Sequence, residues 1–100
     1  VERVAVLGTG GISHWVGTPQ TGTINEAFDR QFLGDFTQGR FEDIARWDSD
    51  EVIRTVGNGA AEIRNWLVAA GAIGARTARS LAYEPVRAWS TGIGVLEMQA

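Results

Sequence analysis

The stretch Leu7-Gly8-Thr9-Gly10-Gly11-Ile12-Ser13-His14 constrains this chain more than any other. The apolar run that leads into it, Val4-Ala5-Val6-Leu7, reads as a short buried strand. Gly8, Gly10 and Gly11 then allow backbone conformations that a side chain forbids. His14, the one histidine, follows at once, so a sharp turn is expected to present an imidazole just beyond a strand end. Open α/β sheets place ligand chemistry at that point.

Downstream the pattern turns helical. Thr23 or Asn25 is positioned to cap a helix on which Phe28, Phe32 and Phe36 recur every four residues and line one face, with Gly34 and Gly39 weakening its end. Phe41, Ile44 and Ala45 predict a second short helix ending near Trp47. Asp48-Ser49-Asp50 caps a third, with Val52, Ile53 and Val56 facing inward. After the Gly57-Asn58-Gly59 interruption, a stronger helix is expected over 60–70, with Ile63, Trp66, Leu67 and Ala70 on one stripe and Gly71 just past its end. A loop leads to Tyr83-Glu84-Pro85, and 93–98 reads as a closing strand entered through Ser90-Thr91-Gly92. The predicted class is α/β, ordered strand, several helices, strand. So few strands make no independent sheet, so the chain is expected to complete a sheet whose other strands lie elsewhere.

Composition narrows the function. One hundred residues, 44% of them hydrophobic, suit one small folded unit and a modest core. No run of eighteen apolar residues suggests a membrane span, and no signal-peptide pattern is visible. The net charge is −3 and the nine cations, all arginine, are scattered, which gives no basic footprint for nucleic acid. Without cysteine there are no disulfides, thiolate metal sites or cysteine nucleophiles, in keeping with a cytoplasmic protein.

Familiar glycine motifs fit poorly. A dinucleotide fingerprint needs glycine or alanine where Ser13 stands, and Gly17, Pro19 and Gly22 break the helix that should open there. A phosphate loop needs a lysine, and the chain has none. Ser13 and His14, adjacent on extended chain, point to opposite faces, so Ser13 is a poor nucleophile for His14; its hydroxyl either supports the loop or touches a substrate. That leaves His14 as an acid/base and Glu62 as the notable carboxylate, in the first turn of the apolar helix with small Ala60 and Ala61 leaving room beside it. The bland alternatives are a histidine that bonds its own loop and a glutamate that serves the helix dipole.

Three segments together resemble one family: Val4 through His14; Gly22-x-Ile24-Asn25-x-x-Phe28-Asp29-x-x-Phe32-Leu33; and Val56-Gly57-x-Gly59-x-x-Glu62-x-x-x-Trp66-Leu67. They are similar to the class III extradiol ring-cleavage dioxygenases, of the protocatechuate 4,5-dioxygenase catalytic-subunit type, and Thr91 through Met98 is similar to the closing strand of such chains. The likeness covers nearly the whole chain and corresponds to the C-terminal portion of a family member, incomplete as an independent domain. It implies a non-haem Fe(II) enzyme that opens catechol-type rings with O₂, its iron held by two histidines and a glutamate. By position the glutamate falls on Glu62 and the acid/base histidine on His14. Gly11 and Ser13 are expected near the substrate, and Ser90 and Thr91 near a ring substituent. With a single histidine the chain lacks two of the iron ligands, which the rest of a longer chain or a partner subunit in an oligomer would supply. The alternatives are a non-catalytic assembly subunit of the same fold and an unrelated small α/β binding module.

Overall fold

The computed structural model describes residues 2–100. Four α-helices come first: α1 (Glu26–Thr37), α2 (Phe41–Ala45), α3 (Ser49–Val56) and, after a 3-10 turn at Asn58–Glu62, α4 (Ile63–Ile73). Two antiparallel strands follow, β1 (Thr77–Val86) and β2 (Thr91–Gln99), joined by a 3-10 turn at Arg87–Trp89. The class is α/β, with α1 packed against both strands of a long hairpin.

Local chemistry accounts for the helix boundaries. Asn25 caps α1, its Oδ1 accepting the Phe28 N–H at 3.0 Å. Asp48 caps α3, accepting from the Asp50 and Glu51 amides at 2.9 and 3.2 Å. Each cap satisfies donors that the first helical turn leaves free. Helix α4 starts and stops later than its sequence suggests. Residues 58–62 tighten into a 3-10 turn, and the left-handed residue that ends the helix is Gly74 (φ 64°) rather than Gly71, which stays inside it.

The phenylalanine stripe of α1 builds the core. Phe32 and Phe36 are fully buried and meet the Trp66 ring of α4 edge-on at 5.4 and 5.9 Å. Edge-to-face contact suits the ring quadrupoles. Ile12, Ile44 and Val56 close the cluster. Val52 and Val56 of α3 face inward as predicted, whereas Ile53 is 38% exposed.

Two expectations about strands are corrected. Val4–Leu7 is no strand: it has no ladder partner among the described residues, and Val4 and Leu7 are 80% and 85% exposed. Hydrophobicity alone does not make a strand without a neighbour to take its N–H and C=O groups. The segment instead runs as irregular chain beside Ile73 of α4 and Leu96 and Met98 of β2, with an open groove between them. The second correction is β1: the segment leading to Tyr83-Glu84-Pro85, expected as a loop, is a ten-residue strand. Ala78 is its one buried residue, the register shifts between Ser80 and Ala82, and Pro85 lies near its end, opposite Gly92. Such a strand carries no two-residue alternation to read.

The molecule extends 49 × 27 × 20 Å and exposes 6227 Å². A folded monomer of 10.8 kDa is expected to expose about 5,500 Å². The excess includes apolar side chains on one flank, Val4 and Leu7 with Val68 of α4 (71% exposed), as befits part of a larger domain. No helix among the described residues is long and apolar enough to cross a membrane.

Candidate active site

The glycine loop is laced between the hairpin and α4. Ile12 N–H donates to the Gly92 carbonyl and Gly92 N–H to the Ser13 carbonyl, each at 3.1 Å, and His14 forms an isolated antiparallel bridge with Thr91. From α4, the Asn65 amide donates to the Thr9 carbonyl at 3.0 Å and the Trp66 indole to the Gly10 carbonyl at 3.2 Å. On its far side the His14 carbonyl accepts the Gly59 N–H at 3.1 Å. Asn58 grips Val16 by both main-chain groups, accepting its N–H at 2.7 Å and donating to its carbonyl at 2.9 Å. His14 is thus held by its neighbours on both sides.

The imidazole has a defined orientation. Nδ1 lies 2.9 Å from the Ile12 carbonyl, which only accepts, so Nδ1 carries a proton. The other ring nitrogen, Nε2, stands 3.3 Å from Oε1 of Glu62. The other carboxylate oxygen, Oε2, accepts the Gly11 N–H at 3.1 Å. The His14 side chain is 14% exposed and that of Glu62 46%, so the pair opens to solvent on the carboxylate side.

Glycine at three nearby positions is required by space. A Cβ on Gly59 would overlap the His14 ring, and one on Gly57, itself at φ 111°, would overlap the His14 carbonyl. At Gly10 (φ 139°) a Cβ would sit 2.6 Å from Oε2 of Glu62. The Gly57-Asn58-Gly59 break, read from sequence as an interruption, is therefore the seat of His14. The signal was there as two glycines shortly before Glu62.

Of the residues singled out by sequence, His14, Glu62, Gly11 and Thr91 come together; a Cβ on Gly11 would lie 2.7 Å from the Thr91 hydroxyl and 3.1 Å from the imidazole. Ser90 sits at the hairpin tip in a left-handed conformation (φ 56°), facing the Gly22 loop. Ser13 turns inward and is fully buried. Its hydroxyl donates to Asp29 and accepts the Asn25 N–H, both at 2.9 Å, which leaves it the loop-supporting role and no face for a substrate. The room expected beside Glu62 is also absent on one side, because Ala60 is buried in the core; what approaches the carboxylate is the His14 ring and the Gly11 amide.

The donor set bears on a metal. A facial Fe(II) site takes three protein ligands. Among the described residues no three histidine, cysteine, aspartate or glutamate side chains converge. Glu62 offers a hard oxygen donor at a partly open position, and this chain's residues by themselves do not fit a complete iron site.

A family model described as the catalytic LigB subunit of aromatic ring-opening dioxygenase matches residues 1–94. This chain belongs to the LigB family. Among its relatives, a 2,3-dihydroxyphenylpropionate/2,3-dihydroxicinnamic acid 1,2-dioxygenase of Rhodococcus globerulus is 33% identical over 75 residues, 72% of this chain and 24% of that protein. The Azotobacter vinelandii enzyme of the same name is 33% identical over 79 residues, 76% of this chain and 25% of its own length. This LigB-family chain spans about a quarter of the length of the curated relatives it matches.

Proposed function

We propose that this LigB chain is the C-terminal portion of an extradiol dioxygenase, which opens a catechol-type ring with O₂. The observation that carries the reading is the meeting of His14 Nε2 with the Glu62 carboxylate at 3.3 Å. These are two residues far apart in sequence, and glycines leave the space in which they meet: a Cβ on Gly59 would overlap the His14 ring, and one on Gly10 the Glu62 side chain.

In this reading Glu62 gives one ligand to Fe(II), and two histidines from outside this chain give the others. Bound Fe(II) would supply the chelation that acidifies the diol and the position at which O₂ is activated. The work of this chain's own residues follows from their hydrogen bonds. The Ile12 carbonyl keeps the proton on Nδ1 and fixes the ring plane. Nε2 is left to take a proton from a ring hydroxyl and to return it to oxygen when the ring opens, the two halves of general acid–base catalysis. The Gly11 N–H fixes Oε2 of Glu62, so that the carboxylate does not rotate freely. Gly11 and Thr91 wall the imidazole and are the proposed neighbours of the substrate, with Ser90 further out at the hairpin tip. The names of the Rhodococcus globerulus and Azotobacter vinelandii relatives point to a catechol bearing a carboxylated side chain, and protocatechuate, a carboxylated catechol, belongs to the same test.

The experiment uses the full-length protein, loaded with Fe(II) without oxygen and given 2,3-dihydroxyphenylpropionate, protocatechuate or plain catechol before air is admitted. A yellow ring-fission product is expected with at least one of them. Absence of colour with all three, from protein that also retains no iron, would favour the assembly-subunit reading.

A further inference from the structure

Among the described residues the fully buried polar side chains, Ser13 and Asp29, lie not in the His14–Glu62 pair but behind it. Asp29, on α1, is fully buried. Its Oδ1 accepts the Ser13 N–H at 2.9 Å, and its Oδ2 accepts the Ser13 hydroxyl at 2.9 Å and the Tyr83 hydroxyl of β1 at 2.5 Å. Ser13 Oγ in turn accepts the N–H of Asn25, the residue that caps α1. A Cβ on Gly92 of β2 would collide with Oδ2, so the hairpin is cut away to admit the carboxylate. Burial, and then the bond to Asp29, raise the Tyr83 phenol above its ordinary range, which keeps it a donor. The Arg30 guanidinium lies 5.0 Å above the Tyr83 ring.

An apolar group of similar size would fill this space without the cost of desolvating a carboxylate. What the carboxylate adds is direction. It fixes both the N–H and the side chain of residue 13, and the Ser13 carbonyl is fixed by Gly92 N–H. The residue before His14 therefore has no freedom left, and the Ile12 carbonyl that orients the imidazole lies on the same short span. We propose that Asp29 is a positioning residue: acting through Ser13, it sets the loop so that His14 Nε2 points at the Glu62 carboxylate.

The test follows the His14 ring by ¹⁵N NMR in the full-length protein and in its Asp29→Asn, Ser13→Ala and Tyr83→Phe variants, each first shown to be folded. The unmodified protein is expected to show a single tautomer with a slowly exchanging Nδ1 proton. Asp29→Asn and Ser13→Ala are expected to lose that signature, and their kcat to fall about 100-fold, the scale of a misplaced catalytic group, with KM changed far less. Tyr83→Phe leaves both Ser13 bonds to Asp29 in place and should keep the signature. A purely structural role would lower the melting temperature and leave the ring signature alone. Folded Asp29→Asn or Ser13→Ala protein with an unaltered His14 ring overturns the proposal. Where Asp29→Asn does not fold, Ser13→Ala decides, since it retains the main-chain bond from residue 13 to Oδ1. Only the kinetic arm rests on the acid/base role proposed for His14. Ring signatures that respond as expected in a protein without turnover support the positioning and count against the dioxygenase reading alone.

Discussion

Gly10, Gly57 and Gly59 leave space at the candidate site that a Cβ would fill. Gly59 gives the imidazole its place, so Gly59→Ala should push the His14 ring away from Glu62. The expected result is a kcat about 100-fold lower with iron content unchanged, read by turnover and metal analysis on the same preparation. Tyr83 makes a different prediction. Its phenol is held protonated by burial and by the bond to Asp29, so its folded pKa lies above its unfolded one. The stabilisation is complete below the usual tyrosine value of about 10 and is lost as pH rises past it. Melting temperature measured across this alkaline range should fall, and Tyr83→Phe should flatten that fall. A variant as pH-sensitive as the parent would show that the phenol does not carry the effect.

Among the elements, α1 carries the most. Its buried face packs Phe32 and Phe36 on Trp66, and its cap and Asp29 reach the glycine loop. Phe32→Ala is expected to cost about 3–5 kcal/mol, as for other buried aromatic rings, measured by denaturant unfolding. Asp48→Ala, which removes only the cap of α3, should cost about 1 kcal/mol. Both helices were legible in the sequence because a four-residue apolar period and a capping side chain are local signals. Strand β1 was not, because it is defined by its partner: its outward residues, its bulge and Pro85 look like loop until β2 lies beside it. Val4–Leu7 misled in the opposite direction, being apolar enough for a strand yet lacking any partner among the described residues. His14 and Glu62 stood out from sequence by residue type and by resemblance. The inward turn of Ser13 and the Asp29 hub depend on contacts between distant elements, for which no spacing rule exists.

At the scale of the whole molecule, an extended shape and an apolar flank go with a chain that matches a quarter of its relatives. The same incompleteness marks the chemistry, where one carboxylate and one imidazole meet without further donors among the described residues. Those two groups divide the labour between metal and proton, and metal content measured beside turnover tests that division most directly. In the full-length protein, Glu62→Ala should lose bound iron and activity together, with little effect on folding because its side chain is half-exposed. His14→Ala should keep its iron and lose about 10²- to 10⁴-fold in turnover, the usual worth of a general acid–base group. Iron retained by Glu62→Ala but lost from His14→Ala would contradict the account.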